Sequence, residues 1–338
     1  MHVKFGTTKA LSGKLERKVV DLKTYKTFVA NKSWMLIALP RIITKVHSDL
    51  KNRGIIKMQI TLLGTGVPTP NPKRRGPAQL IKAGNVNVLV DCGSGTVNQL
   101  VQGNVSPPQI NNVLITHHHS DHYIDLDHFI ITRWIMGADK PLHIYGPIRQ
   151  KKIIENMLAV HEYDLKIRVE HQGTKRPLPE VIVHEIGEEI EMEIDGLKTR
   201  AFHVEHPPVD PAFGYRFDTQ DRSIVISGDT RPCENIIKNA YNVDLLVHEC
   251  MHSAKVPFVP GGGWKSAEHR IEAMARYHTF PEKLGLIAKD ADPKILATTH
   301  MVSHSEPSEL MEIIGHDYSG ALVIGEDLMT IYWDQLED

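Results

Sequence analysis

The segment 116–122, with the sequence THHHSDH, constrains this chain more than any other stretch. A short apolar, β-branched run precedes it and is typical of a buried strand. Side chains at positions i and i+2 of an extended segment project to the same side, so His117 and His119 can converge on one ion. Asp121 and His122 can then face a second ion. The segment therefore predicts a pair of borderline metal ions, for which zinc is the best match.

Further polar residues follow other predicted strands. They are His206 after 199–204, Asp229 after 223–226, His248 and Glu249 after 244–247, and His300 after 295–299. The alternative to a metal site, a solvated histidine-rich loop, would not come with matching ligands at other strand ends. Two successive sets of strands followed by helices indicate two packed sheets covered by helices.

The charge of the chain divides it into two unlike parts. With 338 residues, 41% apolar and 24% charged, it can bury the core of one large α/β domain or two medium ones. Residues 1–57 carry 13 Lys and Arg against 3 Asp and Glu, a net of +10, which leaves −12 for residues 58–338. We expect one domain over 58–338. The basic extension 1–57 is a polyanion-binding arm, a packing or dimerisation segment, or sequence upstream of a start at Met58.

The three cysteines give no sign of a disulfide framework. Cys92, Cys233 and Cys250 are odd in number and lack CxxC spacing, which favours a reducing cytoplasm. Each is expected to be a small buried group rather than a metal ligand. The apolar run 34–40 is too short to span a bilayer and lacks the flanks of a secretory signal. The chain is therefore expected to be cytoplasmic, with no membrane partner.

These residues carry a resemblance to the metallo-β-lactamase superfamily, and within it to the branch of tRNase Z and its arylsulfatase-like relatives. The family's HxHxDH signature stands at 117–122, and its later single ligands match His206, Asp229 and His300. Branch motifs are similar to 64–66 (GTG), 213–216 (FGYR), 227–231 (SGDTR) and 248–249 (HE). The resemblance spans about 58–338 and implies an αββα sandwich, in which two packed mixed β-sheets are flanked by helices.

The same resemblance implies two zinc ions per chain. One would be held by His117, His119 and His206, the other by Asp121, His122 and His300, with Asp229 bridging them. A water shared between two such metals loses a proton near neutral pH and becomes the nucleophile. Asp121 is expected to belong to the catalytic groups as well as to the ligands. The chain is therefore expected to be a metal-dependent hydrolase.

The resemblance also makes His278, which opens an HxT segment, catalytic in partnership with Glu249. A carboxylate that accepts from one ring nitrogen fixes the tautomer, so the other nitrogen can donate to a leaving oxygen. The alternatives are helix capping for His278 and a buried ion pair for Glu249. Thr279 is expected to be the N-cap of the next helix, with Glu282 completing a capping box.

Three other polar residues are assigned supporting positions. His118 occupies an x position of the signature and is expected to point away from the metals. Asp91 is expected to be structural or to contact a ligand, and His248 to contact ligands without binding a metal.

The substrate is expected to be a small ester, either an aryl sulfate or a phosphodiester. Long-armed tRNase Z enzymes carry an exosite for the tRNA elbow between the Gly-Tyr-Arg and Ser-Gly-Asp segments, whereas here Arg216 leads almost directly to Ser223. Residues 58–338 are also acidic, and nucleic-acid affinity comes largely from Lys and Arg. The loop 251–264 would line the opening of the active site. Its candidate apolar walls are Trp134, Phe258 and Trp264, and the alternative role of these residues is core packing.

Other functions stay open. One is a tRNase Z-like endoribonuclease that processes tRNA 3′ ends, which would make nucleic acid the partner. Another is β-lactamase or lactonase activity. A third is a diiron redox protein of the same fold, but diiron members typically replace the second histidine of the motif with Glu, and this chain has His119. A homodimer is expected by analogy with the family.

Overall fold

We describe the protein from a computed structural model. It describes residues 19–20, 58–171, 177–252, 263–302 and 306–333. Most of the basic extension, Phe258 and most of the loop 251–264 lie outside these residues. No helix among the described residues is long and apolar enough to cross a membrane.

The strands of the described residues form two sheets. The first has eight strands in the order β1-β15-β2-β3-β4-β5-β6-β7. They are β1 Val19–Val20, β2 Met58–Gly64, β3 Ala78–Ala83, β4 Val86–Val90, β5 Asn112–Leu114, β6 Leu142–Pro147, β7 Val181–Ile186 and β15 Met329–Tyr332. Strands β4 to β7 are parallel, whereas β2, β3 and β4 form antiparallel hairpins.

The second sheet has seven strands in the order β14-β13-β12-β11-β10-β9-β8. They are β8 Ile190–Ile194, β9 Leu197–His203, β10 Phe213–Asp218, β11 Ser223–Ile226, β12 Leu245–Cys250, β13 Ile295–Met301 and β14 Ala321–Val323. Strands β11 to β14 are parallel, and β8 to β11 are antiparallel. Both sheets are thus mixed, as expected.

Helices cover the outer faces of both sheets. The α-helices of the described residues are α1 Thr96–Gln102, α2 Leu126–Ile135, α3 Gln150–Val160, α4 Glu162–His171, α5 Glu234–Ala240, α6 Ala267–Met274, α7 Pro281–Ala291 and α8 Pro307–Gly315. One buried cluster, which includes Leu62 and Phe213, joins the inner faces of the sheets. A second packs α5, α7 and α8 on the second sheet, and a third packs α1, α2 and α3 on the first. This arrangement is the predicted αββα sandwich.

The sequence places most elements correctly because their apolar patterns are regular. Strand β11 has the bounds predicted for it, 223–226, and the strands predicted over 199–204, 244–247 and 295–299 differ from β9, β12 and β13 at their ends. The strand predicted over 244–247 in fact continues to Cys250, so His248 and Glu249 lie within β12 rather than after it. Parallel pairing with β13 extends β12, since Glu249 pairs with Thr299.

A bulge lies where β13 delivers its histidine. Glu249 pairs with Thr299 and Cys250 with Met301, so His300 is the extra residue. Its φ of 50° is in the left-handed region, which residues other than glycine rarely adopt. Such a conformation persists where the surrounding structure fixes it, and it is common at functional sites.

The predicted capping box at Thr279 is wrong. Helix α7 begins at Pro281, its N-cap residue is Phe280, and no side chain caps it. The hydroxyl of Thr279 donates instead to the carbonyl oxygen of Thr230, 2.6 Å away. A contact between distant segments has displaced the local motif here.

Candidate functional site

The signature segment begins where β5 ends, at the edge shared by the two sheets. The backbone N–H of Phe213 donates to the carbonyl of Thr116 at 2.9 Å, which ties β10 of the second sheet to the start of the segment. A short 3₁₀ turn, Ser120–His122, then brings the last two side chains back toward the first. The segment therefore presents its polar side chains between the sheets.

Three imidazole nitrogens meet in a first cluster. The Nδ1 atom of His119 lies 3.1 Å from Nε2 of His117 and 3.0 Å from Nε2 of His206. The ligands of a tetrahedral zinc ion with arms of about 2.0–2.1 Å are about 3.3–3.4 Å apart, so the observed spacing fits a shared metal ion. His117 and His206 are fully buried, so a cation there would find few competing water molecules.

A second cluster lies beside the first. The Asp121 carboxylate is 3.6 Å from Nε2 of His122 and 3.4 Å from Nε2 of His300. Nε2 of His122 is buried and has no hydrogen-bond partner among the described residues. A buried polar atom without a partner costs free energy, and a metal ion at this position would remove that cost.

Asp229 lies between the two clusters. Its Oδ2 atom is 3.3 Å from His122 and from His300, 3.8 Å from His117 and 4.0 Å from His206. One carboxylate oxygen thus contacts histidines of both clusters. All seven side chains that the sequence assigned to the metals are brought together, in two sets with one carboxylate in the middle.

The outer ring nitrogens of His122 and His206 have their own hydrogen-bond partners. Nδ1 of His122 donates to Asp91 at 2.8 Å, and Nδ1 of His206 donates to the carbonyl of Tyr277 at 2.7 Å. Each outer hydrogen bond fixes the tautomer, so that the lone pair of the other nitrogen points inward. Asp91 also accepts from the N–H and the hydroxyl of Thr116, at 2.8 Å and 3.0 Å. It therefore contacts a candidate ligand, as the sequence suggested.

The electrostatics of the site suit a cation. Burial lowers the pKa of His117 well below its ordinary value, and it lowers the pKa of His206 to about 4, so both rings stay neutral and keep a lone pair. Burial also works against a charged His122, but Asp229, Asp91 and Asp121 raise its pKa well above the ordinary value. Positions that attract a proton in this way also attract a metal ion.

The proposed catalytic pair is formed. Nδ1 of His278 is 2.9 Å and 3.1 Å from the two carboxylate oxygens of Glu249, and both residues are buried. Burial raises the pKa of Glu249, and the carboxylate also accepts from the backbone N–H of Thr230. His278 is 3.9 Å from Asp229, so it lies next to the metal-ligand set.

Other assigned residues lie away from the clusters. Nε2 of His118 contacts the Gln150 side chain at 3.1 Å, so His118 points away as expected. His248 is fully buried and donates from Nδ1 to the carbonyl of Glu249. Trp134 packs with Leu165 in a small cluster and donates to a backbone carbonyl, so it is a core residue rather than a wall of the active-site opening.

The hydrogen bonds that hold the His278–Glu249 pair in place were not predicted from the sequence. Thr230 donates its N–H to Glu249, and its carbonyl accepts from Thr279, which ties the segment after Asp229 to the segment after His278. Tyr277 was also missed, although its ring lies beside His206 and His278. Its position immediately before His278 was the available signal.

The chain resembles known proteins over most of its length. The family described as Anti-Pycsar protein Apyc1 matches residues 58–258. The ribonuclease Z of Mycobacterium bovis (strain BCG / Pasteur 1173P2) is 32% identical over 280 residues, which cover 81% of this chain and 98% of the relative. The chain belongs to the ribonuclease Z-like hydrolases of the metallo-β-lactamase family.

Solved structures agree on the fold. The metallo-β-lactamase fold protein YhfI from Bacillus subtilis superposes with a TM-score of 0.63 at 19% identity, covering 82% of this chain and all of the other. The short form of human tRNase Z gives a TM-score of 0.60 at 22% identity, covering 81% of this chain and 98% of the other.

One difference from long-armed relatives is confirmed in this member of the family. Asp218 pairs with Ser223 across the β10–β11 hairpin, and the N–H of Thr219 donates to the carbonyl of Arg222. The turn is thus closed by four residues. The hairpin carries no inserted arm.

Proposed function

We propose that the chain is a metal-dependent endoribonuclease of the ribonuclease Z type, which hydrolyses a phosphodiester bond at the 3′ end of precursor tRNA. The observation that carries the proposal is the complete site: seven clustered His and Asp side chains with the His278–Glu249 pair beside them. Identity of 32% with a ribonuclease Z along nearly its whole length supports the same assignment.

The donor set fits two zinc ions. His117, His119 and His206 would hold one, and Asp121, His122 and His300 the other, with Asp229 contacting both. Imidazole and carboxylate donors in sets of three suit zinc sites that leave a position open for chemistry. Bound there, the two ions would supply Lewis acidity to the phosphoryl oxygens and a nucleophile at neutral pH.

Residues of the chain itself would donate the proton that the leaving group needs. Glu249 accepts from Nδ1 of His278 and so leaves Nε2 as the ring's other donor when the ring is charged. Cleavage of a phosphodiester releases an alkoxide that needs a proton, and His278 is the candidate general acid for it. Asp121 would hold its metal together with His122 and His300. The buried position of the pair keeps bulk water from competing for that proton.

This ranking differs from the expectation of a small ester substrate. The relatives favour the ribonuclease alternative, whereas none of those described above supports aryl sulfates, β-lactams, lactones or diiron redox chemistry as the activity. A second candidate, hydrolysis of small phosphodiesters, is favoured by the armless β10–β11 hairpin and by the net charge of −12 over residues 58–338. Both candidate activities hydrolyse a phosphodiester bond at the same site.

The test compares two substrates on the zinc-loaded full chain. We expect cleavage of a precursor tRNA at its 3′ trailer and turnover of bis-p-nitrophenyl phosphate, with both lost in His119→Ala. Turnover of the small diester without cleavage of the tRNA would replace the first candidate with the second. Absence of both activities in protein with full metal content would refute the phosphodiesterase assignment.

Two further proposals concern the setting of the enzyme. The three cysteines are free and buried, which supports the reducing cytoplasm expected from their spacing. A homodimer remains a proposal by analogy with the family. Light scattering of the full chain at micromolar concentration, with a mass of one copy or two, tests it.

A further inference from the structure

Tyr277 places an aromatic ring directly beside the metal-ligand clusters. Its ring lies edge-on to the imidazole of His206, with centroids 5.5 Å apart and planes at 80°. The ring of His278 is 4.7 Å away on another side. The carbonyl of Tyr277 accepts the hydrogen bond from Nδ1 of His206, so the residue is fixed at the site by its own backbone.

The segment before Tyr277 lies at the surface. Helix α6, which ends three residues earlier, has no buried residue although it includes Ile271 and Met274. Tyr277 itself is only partly buried. A partly exposed ring next to a buried cluster of imidazoles offers a flat apolar area to a ligand that approaches the metals.

Charged groups of both signs act on this ring. Burial raises the pKa of the Tyr277 phenol, the guanidinium of Arg270 opposes the rise, and the carboxylate of Glu249 adds to it. A partly exposed aromatic ring beside the clusters matches a nucleotide, since bases stack on aromatic rings.

We propose that Tyr277 is a specificity-determining residue, which stacks on the nucleobase next to the scissile phosphate. This inference rests on the proposed function and deepens it. Stacking tolerates every base because each has a π-face, so Tyr277 selects nucleotides over base-free esters without selecting a sequence. The ring distinguishes substrates whose reacting phosphates are identical.

The test measures the preference for a base in the zinc-loaded full chain. It compares kcat/KM for the p-nitrophenyl ester of thymidine 5′-phosphate with that for methyl p-nitrophenyl phosphate, which lacks sugar and base. The enzymes are the unchanged chain, Tyr277→Leu, Tyr277→Phe and Tyr163→Leu. Tyr163 is a matched control because it is 79% exposed on α4.

We expect the unchanged chain to prefer the nucleotide ester, and Tyr277→Leu to reduce that preference by roughly 5- to 150-fold, the range for loss of one stacked base. Tyr277→Phe keeps the ring and should keep the preference, as should Tyr163→Leu. Equal losses on both esters in Tyr277→Leu would show that the ring only supports His206 and His278, and would overturn the inference.

The ester and tRNA assays distinguish a failure of this inference from a failure of the proposed function. Turnover of both esters by the unchanged chain without any preference refutes the role of Tyr277 alone. Turnover of neither ester, with precursor tRNA also uncut, refutes the phosphodiesterase assignment and the inference with it.

Discussion

Replacing Asp91 with Asn should weaken one metal cluster more than the other. Asp91 is buried and accepts three hydrogen bonds, one of them from Nδ1 of His122 at 2.8 Å. The Asn side chain has nearly the same shape, but its amide would present N–H groups toward that ring nitrogen. The proton of His122 would then move to Nε2, the atom that faces Asp121 and Asp229.

The size of the effect follows from the position of Asp91. Loss of a residue that orients a ligand typically costs 10- to 100-fold in metal affinity, or about 1.4–2.7 kcal/mol. His122 belongs to the cluster with Asp121 and His300, whereas the outer nitrogen of His206 is held by a backbone carbonyl that Asp91→Asn does not change. The ion held with His122 should therefore weaken more, because Asp91 reaches His117 of the other cluster only through the hydroxyl of Thr116.

The assay is a titration of zinc against a competing chromogenic chelator, with calorimetric unfolding to confirm the fold. Asp244→Asn is the matched control, because Asp244 is also buried and accepts hydrogen bonds from Ser223 and Lys294. It lies where β11 and β12 begin, whereas the metal-ligand clusters lie where these strands end. Asp244→Asn should leave both zinc affinities unchanged. Equal weakening of both ions in Asp91→Asn, or of neither, would refute the assignment of Asp91 as the residue that orients His122.

Three further predictions follow from the same geometry. His278→Ala should lower kcat by about 10²- to 10⁴-fold with zinc content intact, and unaltered turnover would remove His278 from the mechanism. Burial lowers the pKa of His248 to about 4, while the unfolded chain binds this proton near pH 6.5, so this group should contribute a loss of up to about 3 kcal/mol to the stability of metal-free protein as the pH falls through that window. Urea unfolding at pH 7.5 and 4.5 should show a smaller loss for His248→Gln, and equal losses would contradict this origin. Gly93→Ala would place a Cβ 2.4 Å from the carbonyl of Asp121, so it should lower both the melting temperature and zinc binding, and a variant equal to the parent in both would contradict the packing described.

The parts of the site that the sequence reveals are those that local geometry controls. His117 and His119 share a side because they are two residues apart on an extended segment, and a regular apolar pattern places the strands before them. The single ligands His206, Asp229 and His300 carry no local signal of their own. These three ligands were identified only through the resemblance to the metallo-β-lactamase superfamily.

The errors lie where distant segments compete with local motifs. Thr279 reads as an N-cap, but its hydroxyl bonds the carbonyl of Thr230, 49 residues earlier. Glu249 reads as a residue beyond a strand, but pairing with Thr299 draws it into β12. A local propensity of about 1 kcal/mol is easily overridden by a buried hydrogen bond or a sheet ladder.

By itself, the sequence predicted two packed sheets covered by helices, and its resemblance to the metallo-β-lactamase superfamily supplied the identities of the seven candidate ligands. Only the tertiary structure decided that one oxygen of Asp229 lies between both clusters, that Asp91 orients His122, that His300 occupies a bulge, and that Tyr277 packs beside His206. The physical reason is range. Hydrophobic periodicity acts over a few residues of one element, whereas these positions depend on atoms that are brought together only when both sheets close on their shared core.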